Sequence, residues 1–76
     1  MEIKILGPGC ARCQATEKNV KEAVNELGIE TKIEEVKDPV EISKHGVFST
    51  PAVIVDGKVK CTGKIPKVEE IKSWLN

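Results

Sequence analysis

Gly7-Pro8-Gly9-Cys10-Ala11-Arg12-Cys13 follows a short apolar run, Ile3-Lys4-Ile5-Leu6, and leads straight into a helical pattern. The stretch reads as strand, tight loop and helix, with two thiols at the helix start. Backbone N–H groups in the first turn of a helix lack partners and carry partial positive charge, and both favour a thiolate over a thiol. Cys10 is therefore read as the more acidic of the pair. Arg12 adds a cation that keeps its charge, and it pushes the same way when its side chain turns toward the sulfur. Cys13 lies one turn further in on the same face, within reach of a sulfur attached to Cys10. An accessible thiolate with a second thiol behind it is what thiol–disulfide exchange requires.

Beyond the cysteines, Val20, Ala23, Val24 and Leu27 fall at helical spacing and predict one helix from about Ala11 to Leu27, with Gly28 as its left-handed cap. Ile29 to Val36 is β-branched but carries Lys32, Glu34 and Glu35, which suits an edge strand. Asp38-Pro39-Val40-Glu41 predicts a capped helix start with a capping box, and that short helix ends at Gly46. His45, the one histidine, falls in its last turn as a surface residue. Ala52-Val53-Ile54-Val55 reads as a strand covered on both faces, and Asp56-Gly57 as a two-residue hairpin turn. In the returning strand Val59 and Cys61 alternate onto one face, Cys61 as a small buried residue. Pro66 opens a last helix whose apolar face holds Val68, Ile71, Trp74 and Leu75. The order is βαβαββα, an α/β chain with a four-stranded mixed sheet flanked by three helices. Its first two helix connections are expected to be right-handed crossovers.

The 76 residues suit a single domain spanning 1–76, with no room for a second lobe or a deep cavity. Twelve basic residues balance twelve acidic ones and are interspersed, so neither nucleic acid nor an anionic membrane is an expected partner. The start of the chain carries no basic leader or apolar signal core, and a cytoplasmic location is expected. Three cysteines, only two of them close together, do not form a secreted disulfide framework.

Phe48-Ser49-Thr50-Pro51 stands directly before the buried strand, where a proline fits only at the strand's first residue or at a bulge. The Thr50–Pro51 bond is open to two readings, an ordinary trans strand start or a cis bond. A cis bond would aim neighbouring backbone groups at an extended substrate chain. With Cys-x-x-Cys at the first strand–helix junction, Thr50-Pro51 opening the third strand, an Asp-Gly hairpin and a closing helix, the chain resembles the thioredoxin/glutaredoxin superfamily. Within it, the chain is similar to the small prokaryotic thioredoxin-like redox-active disulfide proteins. The resemblance rests on Gly9 to Cys13 and on Gly46 to Val59, and it covers essentially the whole chain. It implies a thioredoxin-like fold and a thiol–disulfide oxidoreductase acting on protein disulfides, with Cys10 as nucleophile and Cys13 as resolving thiol. It further implies a cis Thr50–Pro51 bond with Thr50 offering its backbone to substrate. No cofactor beyond a redox-active Cys10–Cys13 disulfide is implied, and the partners are protein disulfides and a dithiol reductase met by a monomer. Ala11-Arg12 fills the spacer where thioredoxins carry Gly-Pro.

Two other readings start from the same residues. Soft-metal carriers of similar length also place Cys-x-x-Cys between a first strand and helix, and two thiolates suit a soft monovalent ion. Those carriers end in a strand, whereas Pro66 to Leu75 reads as helical, so no metal site is assigned. A non-catalytic module with a buried cysteine pair is opposed by the glycines flanking Pro8, which predict an open loop.

Overall fold

The apolar run Ile3-Lys4-Ile5-Leu6 forms most of β1 (Glu2–Leu6) in the computed structural model, which describes residues 2–9 and 11–75. Then follow α1 (Ala11–Leu27), β2 (Lys32–Val36), α2 (Pro39–Lys44), β3 (Ala52–Val55), β4 (Lys58–Thr62) and α3 (Val68–Leu75). The strands make a mixed sheet in the order β2-β1-β3-β4, so the βαβαββα α/β reading stands, and β2 is an edge strand as its charges suggest. α1 has the bounds its periodicity predicts, and Gly28 ends it at φ +63°.

The sheet has two unequal faces. Ile3 and Ile5 of β1 and Val53 and Val55 of β3 meet Val20 and Ala23 of α1 and Ile71 and Leu75 of α3. Trp74 packs against the same cluster, half-buried. On the other face Leu6, Ala52 and Ile54 meet Ile42 of α2 and Val47. Residues of a strand alternate between faces, so the unbroken apolar run of β3 serves both clusters.

Three expectations change. β1 is parallel to β2 but antiparallel to β3, so β2 and β3 run in opposite directions and α2 is not a crossover between parallel strands. The chain leaves β2 at Val36, level with Leu6, and enters β3 at Ala52, also level with Leu6. The short α2 therefore only carries it across β1 at one end of the sheet. Second, Val59 and Cys61 do not share a face. Val59 opposes Ile54 while Cys61 opposes Val53, because a bulge places Lys60 as an extra residue between them. Cys61 thus stays buried in the larger cluster and Val59 is exposed.

Third, two element starts move inward. β2 begins at Lys32, opposite Glu2, and Ile29 packs against the larger cluster from the connection instead. α3 begins at Val68 because the Pro66 carbonyl accepts a hydrogen bond from Asn19 Nδ2 of α1 at 2.8 Å. The Lys67 carbonyl then accepts the first helical bond, from the Ile71 N–H at 3.1 Å, and Glu70 accepts from the Lys67 N–H. At α2, Asp38 caps the Val40 N–H at 2.9 Å as expected. Glu41, which a capping box would send back to Asp38, pairs with Lys44 at 3.3 Å.

Candidate active site

The end of the sheet where β1 stops and β3 starts collects the conspicuous segments of the sequence. The Gly7 N–H donates to the Val36 carbonyl at 2.9 Å, extending the ladder one residue past Leu6. Gly9 then turns the chain at φ +92°, and its carbonyl accepts from Gln14 Nε2 at 3.2 Å. α1 starts at Ala11, directly after Cys10. Cys10 itself, the expected nucleophile, lies outside the described residues.

Cys13 is buried on the sheet side of the first turn of α1. Thr16, fully buried one turn on, donates its hydroxyl to the Arg12 carbonyl at 3.0 Å. Cys13 explains why residue 7 is glycine. A Cβ at Gly7 would overlap Cys13 Sγ, lie 3.2 Å from Cys13 Cβ and stand 3.9 Å from Pro51 Cα. The thiol helix and the strand-opening proline, far apart in sequence, therefore converge on Gly7.

The Thr50–Pro51 peptide bond is cis. Pro51 is fully buried and its carbonyl accepts from the Gly63 N–H at 2.9 Å. Thr50, half-buried, borders a groove of about 320 Å³ that Pro8, Pro39, Ile42, Ser43, Val47 and Phe48 also line. Phe48, at the rim of this groove, is 89 % exposed.

Cations flank the loop on two sides. Arg12 donates from Nη2 to the Gly63 carbonyl at 2.9 Å. Lys37, just past β2, runs alongside Gly9, where a Cβ would lie 3.9 Å from its Cε. The sequence reading singled out Cys10, Arg12, Cys13, Thr50 and Pro51, and the fold brings the last four of these to one end of the sheet. Gly7 was expected only to open the loop, and Lys37, Phe48 and Gly63 had no expected part in the site. Phe48 alone carried a signal, as the single phenylalanine of the chain, two residues before Thr50.

Cys61 stands apart, in the cluster under α1 and α3. Burial pushes its thiol above the ordinary value, partly offset by a backbone hydrogen bond at Val53. A second electrostatic feature joins α1 to the sheet edge. The Glu17 and Glu35 carboxyls interact across α1 and β2, so that a proton held by Glu35 can be shared with Glu17, which holds Glu35 above and Glu17 below the usual carboxylate range. Lys21, 2.6 Å from Glu17, completes the group.

A four-stranded mixed sheet with three helices, a cysteine in the first turn of α1 and a cis-proline opening β3 define the thioredoxin-like class. The chain matches the thioredoxin domain family over residues 1–76 and belongs to it. It is 45 % identical over 76 residues to a thioredoxin of Methanothermobacter thermautotrophicus, covering 100 % of this chain and 99 % of the relative. It is also 51 % identical over 73 residues to a thioredoxin of Methanocaldococcus jannaschii, covering 96 % of this chain and 84 % of the relative.

Proposed function

We propose that the protein is a thiol–disulfide oxidoreductase that reduces disulfides of other proteins through Cys10 and Cys13. The observation that carries this reading is the convergence at Gly7, which brings the Cys13 thiol beside Pro51. Membership of the thioredoxin domain family agrees with it. The Cys10 thiolate attacks one sulfur of a substrate disulfide, forming a mixed disulfide and releasing the other substrate sulfur as a thiolate. Cys13, as its thiolate, then attacks the Cys10 sulfur and releases the second substrate sulfur. Two electrons pass to the substrate and a Cys10–Cys13 disulfide remains. A dithiol reductase returns two electrons to it and restores both thiols.

Thr50 offers backbone groups to the extended substrate chain, and Pro51 shapes the turn that presents them. The disulfide is the only redox group this chemistry needs. The protein works as a monomer in the cytoplasm, where thiols are kept reduced. Among the described residues no helix is long and apolar enough to cross a membrane.

Insulin, with dithiothreitol as electron source, tests the reading. Cys10→Ser abolishes insulin reduction, and pre-reduced Cys13→Ser, mixed with insulin after dithiothreitol is removed, accumulates mixed disulfides that a non-reducing gel resolves. Normal turnover by Cys13→Ser would remove the resolving role.

A further inference from the structure

The geometry points to Arg12 as a positioning residue that locks the Thr50–Pro51 turn against the thiol helix, an inference that rests on the oxidoreductase reading and deepens it. From the first turn of α1 its guanidinium donates to the Gly63 carbonyl at 2.9 Å. Gly63 donates its own N–H to the Pro51 carbonyl, also at 2.9 Å. Two hydrogen bonds in series therefore run from Arg12 to Pro51.

Gly63 is suited to this relay. Its φ of +70° is a conformation side chains rarely adopt, and a Cβ there would come within 3.1 Å of Ser49 Cβ. It is held between the Arg12 guanidinium on one side and Ser49 and Pro51 on the other. Arginine fits the first bond because its planar fork holds several donors in fixed directions, which a lysine ammonium does not reproduce. A substrate paired with Thr50 is gripped by the turn that this relay fixes, and a turn already held in its binding conformation spends less free energy on being ordered when substrate binds. Arg12 thus acts on how substrate is held, a role separable from any effect of its charge on the thiol.

Arg12→Ala and Arg12→Lys, made in the full chain, separate the two. The relay predicts that Arg12→Ala raises KM for insulin about three- to tenfold, the range of one ordinary hydrogen bond's net contribution, as suits a charged donor screened by solvent at an exposed site. It predicts kcat and the rate of Cys10 alkylation by iodoacetamide to be little changed, and no rescue of KM by Arg12→Lys. It further predicts faster solvent exchange of the Gly63 amide in Arg12→Ala, with the amides of β1 and β3 unchanged, a readout that does not pass through catalysis. Slower alkylation with an unchanged KM, restored by Arg12→Lys, would assign Arg12 to thiol charge and overturn the proposal. An unaltered Gly63 amide would overturn it as well. Failure of the unsubstituted protein to reduce insulin would instead sink the oxidoreductase reading, and the Gly63 exchange would still decide the relay.

Discussion

Gly7 has no side chain because Cys13 fills the space one would occupy. Gly7→Ala must push the Cys13 thiol, the helix behind it or Pro51, since a Cβ would sit 3.2 Å from Cys13 Cβ and closer still to its sulfur. Overpacking of this kind costs about 1–3 kcal/mol. Urea unfolding should show that loss, and insulin reduction should fall with it; a variant of unchanged stability and activity would refute the contact. Cys61 supplies a test of a different sort. Burial raises its folded-state value above that of the unfolded chain. Its stabilisation is therefore intact below the unfolded value, roughly 8.5, and is lost as pH rises from there through the folded value. Stability should decline on the alkaline side, and Cys61→Ala should flatten that decline; identical slopes in the two proteins would contradict the buried thiol.

At the level of elements, α2 depends most on a single cap. Only Ile42 of its six residues is buried, and Asp38 accepts from the Val40 N–H at 2.9 Å. Asp38→Ala should cost about 1 kcal/mol of stability by chemical denaturation. A negligible loss would mean that packing alone sets the helix. Glu35→Gln should stabilise the protein at neutral pH, because an amide can donate to Glu17 where a second carboxylate repels it. The thermal midpoint measures it, and a lower midpoint would argue against repulsion between the two carboxyls. These elements differ in how far the sequence discloses them. α1 was legible because periodicity and Gly28 mark its body and end locally. The start of α3 was not, since the Pro66 carbonyl is claimed by Asn19, a partner reached only through folding. The direction of β3 and the bulge at Lys60 were hidden for the same reason: strand pairing is a relation between distant segments, and alternation in β4 looks regular until the partner strand is known. Within the site, Cys-x-x-Cys and Thr50-Pro51 announce themselves as local motifs. Lys37 and Gly63 enter it from other elements, and nothing in their neighbours along the chain distinguishes them.

The whole molecule is a sheet unequally covered. One face is packed by α1 and α3, the longer two helices, and the other by the six-residue α2 with a smaller cluster. Regions with fewer buried apolar contacts open more readily. Amides of α2 should therefore exchange with solvent faster than those of β1 and β3, and equal protection would show that the smaller cluster is as firm as the larger. That lightly covered face adjoins the groove beside Thr50, so the side proposed to receive substrate is also the one best able to adjust to it. The proposed chemistry requires Cys10 and Cys13 to form one exchangeable redox pair. A redox titration of the metal-free protein, read by thiol alkylation and mass with Cys61→Ala as control, tests it most directly. A single reversible two-electron couple, carried by Cys10 and Cys13 and retained in Cys61→Ala, is expected. Absence of such a couple, with both thiols staying reduced or oxidising independently, would contradict the proposed chemistry.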